Sequence, residues 1–187
     1  MAYRLGLLCG IAMLWACGGD DGDTPIVVKG QHLVVADTIS GSATLGSSSN
    51  TAGLIILTNV SGACADLTQG KRPKNSMTLG FFLTDVNQTT FATSAPTAPG
   101  TYTISGSATK SAEVSFETYD GTCAKVGSAS DDGATGTVNL TGINNGAYSG
   151  DFDVIFTGGD HIKGSFGGTA CGSMNVTVNQ GNSFTCI

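Results

Sequence analysis

The chain has 187 residues, enough for one ordinary domain and a targeting segment but not for two full cores. Its 28 glycines, four prolines and 12% charged residues, with abundant Thr, Ser, Val and Asn, describe short strands joined by many turns, so an all-β protein is expected. The formal charge is −6, and eight Lys and Arg spread thinly along the chain form no stripe able to neutralise a phosphate backbone, which excludes nucleic acid as a partner.

Residues 1–16 read as a signal peptide. Arg4 supplies the positive start and Leu5 to Ala16 an apolar run of about a dozen residues. That run is too short to span a bilayer, which takes about 20 apolar residues. It ends at Leu14-Trp-Ala-Cys17, a bacterial lipobox pattern with an aliphatic residue three before the cysteine and a small one just before it. Cys17 is therefore the expected lipidation site, with Trp15 an unusual middle residue. Cys9 is a poorer candidate because bulky Leu8 precedes it. Acyl chains stabilise membrane association by about 0.8 kcal/mol for each buried CH₂, so lipid on Cys17 makes the membrane a partner without any protein-borne membrane surface. The expected location is the bacterial cell envelope, on the outer membrane, with the domain extracytoplasmic. Gly18 to Pro25, rich in Gly and Asp, then forms a flexible tether. A calcium loop is the sharper reading of its acids, but no Glu ligand follows.

Residues 26–187 are read as a single all-β domain. Expected strands are Ile26–Val28, His32–Ala36, Leu54–Val60, Met77–Val86, Thr101–Ser105, Ala112–Tyr119, Thr135–Ile143, Tyr148–Thr157, His161–Gly167, Ser173–Val178 and Ser183–Ile187, punctuated by turns such as Asp131-Asp-Gly133 and Asn144-Asn-Gly146. No helical stripe is seen after the leader. Lys71-Arg-Pro-Lys74, the one basic cluster, reads as a solvated loop, with contact to anionic head groups as the functional alternative. The Asn-x-Ser/Thr sites at Asn59, Asn87, Asn139 and Asn175 read as strand and turn composition, since the lipobox points to a bacterium.

Thr135 to Gly167 is the most legible stretch, because a register can be sought that puts its apolar side chains on one face. Taking Asn144-Asn-Gly146 as a three-residue loop pairs Ile143 with Ala147, and places Val138 opposite Phe152, Leu140 opposite Gly150 and Gly136 opposite Val154 on a core side. Thr137 with Asp153, Asn139 with Asp151 and Thr141 with Ser149 fall on a hydrated side. Taking Gly158-Gly-Asp160 as a second three-residue loop brings Phe156 against Ile162 and Phe152 against Phe166, with Lys163 diagonal to Asp153. A one-sided meander needs a cover, and without helices that cover is more β-structure. The expected architecture is an antiparallel β-sandwich, with a flattened β-barrel as the alternative.

With Cys9 removed and Cys17 acylated, Cys64, Cys123, Cys171 and Cys186 remain, an even number suited to two disulfides in an oxidising compartment. Zinc is the rival, but no C-x₂-C pair occurs, so no metal site is expected. Three pairings are possible. The reading leans to Cys171–Cys186 with Cys64–Cys123.

Pro99-Gly-Thr-Tyr-Thr-Ile104, Gly136 to Thr141, Tyr148 to Phe156 and Gly159 to Phe166, followed by Cys171, resemble a loose group of lipoproteins from myxobacteria. The resemblance covers roughly Pro99 to Cys171 and rests on turn glycines and strand alternation. It implies a Gram-negative envelope location and a β-sandwich. Cys186 lies beyond the shared pattern, that group has no assigned activity, and no functional residue carries over.

Catalytic motifs are sparse. There is no G-x-S-x-G elbow, and a Ser-His-Asp set would have to use His32 or His161. No catalytic residue and no cofactor is expected. Asn139, Asp151 and Asp153 share a strand face and form a candidate surface for calcium or carbohydrate, against the plainer reading of hydrated β-surface acids. The functional expectation is a non-enzymatic structural or interaction role at the membrane with the protein or glycan partner open, and a carbohydrate- or calcium-binding module as the alternative.

Overall fold

The computed structural model describes residues 25–45, 49–106, 109–130, 133–172, 174 and 184–187. The signal segment, Cys17, nearly all of the tether and most of the expected strand Ser173–Val178 lie outside them. The elements are β1 (Ile26–Val28), β2 (Gln31–Leu33), β3 (Asp37–Thr44), β4 (Thr51–Thr58), α1 (Ala63–Thr68), β5 (Lys71–Arg72), β6 (Met77–Val86), β7 (Thr93–Ser94), β8 (Gly100–Ile104), β9 (Lys110–Tyr119), β10 (Lys125–Ser130), β11 (Thr135–Asn144), β12 (Ala147–Ile155), β13 (His161–Gly167), β14 (Thr169–Ala170) and β15 (Thr185–Cys186).

One large sheet runs β13-β12-β11-β8-β9-β6-β4-β3-β14. Most neighbours are antiparallel, but β8 meets β9 and β14 meets β3 in parallel, so the sheet is mixed; β15 and β5 form a separate parallel pair. It curls until its two ends touch: the Tyr148 amide donates to Ser40 Oγ at 2.8 Å, and the Gly168 amide donates to the Tyr148 carbonyl at 3.0 Å. The all-β expectation holds, and the curled sheet fits both a flattened barrel and a sandwich.

Alternation sorts the side chains. Ile55 and Leu57 of β4, Leu79, Phe81 and Leu83 of β6, Val114 and Phe116 of β9, and Phe152 and Val154 of β12 point inward into one buried cluster. Phe81 and Phe152 meet there with ring centroids 5.1 Å apart. The β1–β2 hairpin adds Val28 and Leu33, both fully buried, to the same cluster. Tyr102 belongs to it too, but its hydroxyl donates to Asp85 Oδ1 at 3.0 Å and Lys110 Nζ lies 2.9 Å from the same oxygen, so a polar triad satisfies the one wet end of a buried ring.

The strand β3 and the helix α1 were not expected. Asp37-Thr-Ile-Ser-Gly-Ser-Ala-Thr44 has few apolar residues to betray it, and it is held by full pairing to β4. α1 is too short for a helical stripe; its first amides are capped from afar, Gly62 and Ala63 each donating to Asp37 Oδ2 at 3.0 Å.

Two turns differ from the sequence reading. The β11–β12 turn has two residues, Asn145 and Gly146, both at positive φ (50° and 83°), the geometry of a type I′ hairpin. Ile143 therefore pairs with Tyr148, and a bulge between Leu140 and Gly142 absorbs the extra residue, which restores Leu140 opposite Gly150 and Val138 opposite Phe152. Thr141 is that extra residue; its hydroxyl still reaches the Ser149 carbonyl, but Gly142 takes the place opposite Ser149. In the next hairpin the partners are Val154 with Ile162, Phe152 with Gly164 and Gly150 with Phe166. This is a shift of two residues from the expected register. A shift of two preserves the faces, so the apolar side was read correctly and the partners were not.

A groove framed by two disulfides

The disulfides join Cys64 to Cys171 and Cys123 to Cys186, across 107 and 63 residues of sequence. This corrects the expected Cys171–Cys186 and Cys64–Cys123 pairing. The cause is topology. Cys171 follows β14, which lies on β3 with the Cys171 amide donating to the Ser40 carbonyl, and α1 sits over the same strand. Cys123 lies in the β9–β10 turn beside β5, where β15 runs in register with Lys71 and Arg72. Cα separations of 5.6 and 5.7 Å suit the bridges. Nearness in sequence was no guide.

Both bridges clamp material onto the outside of the sheet. Leu54 and Ile56 of β4 and Phe82 of β6 face away from the inner cluster, and Ile39, Leu67, Cys64 and Met174 pack with them as a second, smaller cluster. Between α1 and the β5/β15 pair this outer face stays open as a groove of about 210 Å³. Its floor carries Leu54, Ile56, Gly80, Phe82 and Ser115, its helical wall Ala63, Asp66 and Leu67, and its other wall Lys71, Arg72, Pro73 and Phe184. Gly80 deepens the floor, since a Cβ there would stand 3.1 Å from Ser115 Oγ.

One end of the groove is charged and ordered. The Arg72 guanidinium lies over two rings, 4.0 Å from the centroid of Tyr119 and 4.2 Å from that of Phe184. Glu117 accepts hydrogen bonds from the Tyr119 hydroxyl and from Lys125 Nζ, the latter at 2.5 Å. Burial pushes the Glu117 carboxyl up, but those two hydrogen bonds and the Lys125 and Arg72 charges outweigh it and hold the group below the ordinary carboxylate range. Burial and the bond to Glu117 push the Tyr119 phenol well up, so it stays neutral. The Cys123–Cys186 bridge and backbone bonds from Thr185 to Gly70 and from Ile187 to Arg72 bring Phe184 into place. Arg72 thus leaves the solvated loop expected for Lys71 to Lys74 and becomes a half-buried strand residue.

Asn139, Asp151 and Asp153 do lie on one exposed face. Asn139 Nδ2 donates to Asp151 Oδ2 at 3.1 Å, while Asp153 meets Lys163 Nζ at 2.7 Å and His161 Nε2 at 2.6 Å. Hydrogen bonds from Lys163 and then His161 hold the Asp153 carboxyl below its usual range. Lys163 stands directly opposite Asp153 rather than diagonal to it. These acids are engaged with their neighbours, and among the described residues no three His, Cys, Asp or Glu side chains converge to hold a metal ion. His32 is exposed on β2.

The sequence expectations include no groove, but the chain carries a signal for one. Gly53-Leu-Ile-Ile-Leu57 and Gly80-Phe-Phe-Leu83 are unbroken apolar runs, not alternating ones, which marks strands covered on both faces. No helix among the described residues is long and apolar enough to cross a membrane. No protein family, curated protein or solved structure matches the chain.

Proposed function

We propose that this is a lipid-anchored protein of the bacterial cell envelope that works without catalysis, as an extracytoplasmic interaction module whose binding site is the groove outside β4, β6 and β9. The groove carries the reading. An apolar concavity with one charged end, built on a rigid sheet and framed by two long-range disulfides, has the form of a binding site for a small molecule. The two disulfides agree with an oxidising compartment. Anchorage through Cys17 at the outer membrane rests on the leader and on the resemblance to myxobacterial lipoproteins.

Among the described residues lining the groove, none is arranged as a nucleophile with its base. Of the groove's two carboxylates, Glu117 is tied to Lys125 and Tyr119 and Asp66 stands on the helical wall, and the hydroxyls on Thr58, Thr78, Ser76 and Ser115 have no histidine beside them in the lining. This supports binding over chemistry.

Two measurements test the halves of the reading. Full-length protein should fractionate with membranes and gain the mass of acyl chains, and Cys17→Ala should release it; a variant still membrane-bound removes the anchor. For the groove, the full chain carrying Cys17→Ser, handled without detergent, should bind the neutral probe 1-octanol saturably in ligand-observed NMR. Gly80→Val, which fills the floor, should abolish that binding. Absence of saturable binding to the unfilled groove removes the site.

A further inference from the structure

Resting on the groove as the binding site, we infer that its ligand is a short- to medium-length aliphatic molecule ending in a carboxylate, with the chain along Leu54, Ile56 and Phe82 and the head group on Arg72. Three observations lead there.

The first concerns what Arg72 lacks. A guanidinium carries five N–H donors in a fixed fork and no acceptor. Arg72 lies over the Tyr119 and Phe184 rings, and its guanidinium donates a hydrogen bond to no described residue. Glu117, whose carboxyl feels the Arg72 charge, already takes hydrogen bonds from Lys125 and Tyr119. Contact with two rings satisfies none of the guanidinium N–H donors, and a carboxylate is the acceptor that matches their fork in a two-pronged bond.

The second is charge. Although the whole chain is acidic, Lys71 and Arg72 stand together on one wall, and the charge of Glu117, which also lines the groove, is offset by Lys125 at 2.5 Å. Asp66 lies on the opposite, helical wall. A negative head is favoured at the clamp and disfavoured at the helix, so the polarity of the groove sets the direction in which a chain lies.

The third is size and chemistry. About 210 Å³ falls below the 300–1,000 Å³ of sites for drug-sized molecules. A floor of aliphatic and aromatic side chains with a glycine in its middle offers a slot for methylenes and few partners for hydroxyls, which disfavours sugars.

The experiment uses the full chain with Cys17→Ser in detergent-free buffer, titrated calorimetrically with octanoate, 1-octanol and octylammonium. Octanoate should bind more tightly than octanol by about tenfold to a hundredfold, the range of a hydrogen bond to a charged group, and octylammonium should bind most weakly. Arg72→Gln should reduce octanoate to the level of octanol and leave octanol unchanged, whereas Gly80→Val should remove both. Arg72→Lys keeps the charge but loses the fork, and should fall between. If octanol binds and octanoate binds no better, or if octylammonium is preferred, the carboxylate inference is overturned while the groove stands. If none of the three binds, the groove reading fails with it.

Discussion

The two apolar clusters lie on opposite faces of the same strands and are held by different means. The inner one is closed by the curl of the sheet. It contains the large aromatics Phe81, Phe116, Phe152 and Tyr102, and its pairing strands are near in sequence or joined by long ladders. The outer one is covered by a six-residue helix, by Cys171 and Met174 and by the chain's last residues, none of which could bury its own apolar surface without help. Covalent bonds supply that help. A covalently fastened cover need not be tightly packed, and the outer face is where the groove remains.

The sharpest way to break the comparison uses adjacent residues of β6. Phe81 is fully buried and faces inward, whereas Phe82 is only partly buried and faces outward. Phe81→Ala should cost about 3–5 kcal/mol, the range for deleting a buried aromatic. Phe82→Ala opens an already open groove and should cost well under half of that. Urea unfolding of both variants with the disulfides intact provides the measurement. Equal losses would mean that the two faces form one core.

Much of the inner face was legible in the sequence because alternation repeats there over several strands, as in Val138-Asn-Leu140 and Phe152-Asp-Val154. Those faces survived even where the turns were misread, since a bulge at Thr141 and a two-residue shift past Gly158-Gly159 both return side chains to the same side. The outer face was far less legible. Its cover comes from a helix too short to show a period, a Ser- and Gly-rich strand at Asp37–Thr44, and a C-terminal strand that pairs with Lys71–Arg72 across more than half the chain. The basic cluster at Lys71–Lys74 was visible, but the aromatic partners of Arg72 at Tyr119 and Phe184 are brought to it only by the folded topology. Four cysteines were visible as well, and their pairing was fixed by which strand ends meet.

Removing one bridge should separate the two regions more finely. Cys123→Ser with Cys186→Ser frees the β15 strand and Phe184 without touching the inner cluster. The expected cost is about 2–4 kcal/mol, mainly through the greater freedom of the unfolded chain. Far-ultraviolet circular dichroism should keep its β signature, while amide exchange at Thr185 and Ile187 should become fast. Loss of the β signature would show that the outer cover is needed for the sheet itself.

The smallest expected effect is a pH dependence seated at the charged end of the groove. Glu117 has its folded-state carboxyl held below the ordinary range, so it contributes stability that is fully present above its unfolded value near 4.5 and is lost as the pH falls through the lower, folded value. Glu117→Gln removes that contribution. The variant should therefore melt below the parent at pH 7, by a difference worth under about 1 kcal/mol, as for other partly exposed pairs. The gap should narrow as the pH falls below 4.5 and close once it passes the lower, folded value, where protonation silences Glu117 in the parent as well. No comparable change is expected from a substitution confined to the inner cluster, such as Leu83→Val, whose deficit should stay level across the same pH range because it removes methylene packing and no charge. Thermal melts of both variants between pH 3 and 7 separate the two behaviours, and a Glu117→Gln gap that persists unchanged at pH 3 would show that the carboxylate acts through shape alone.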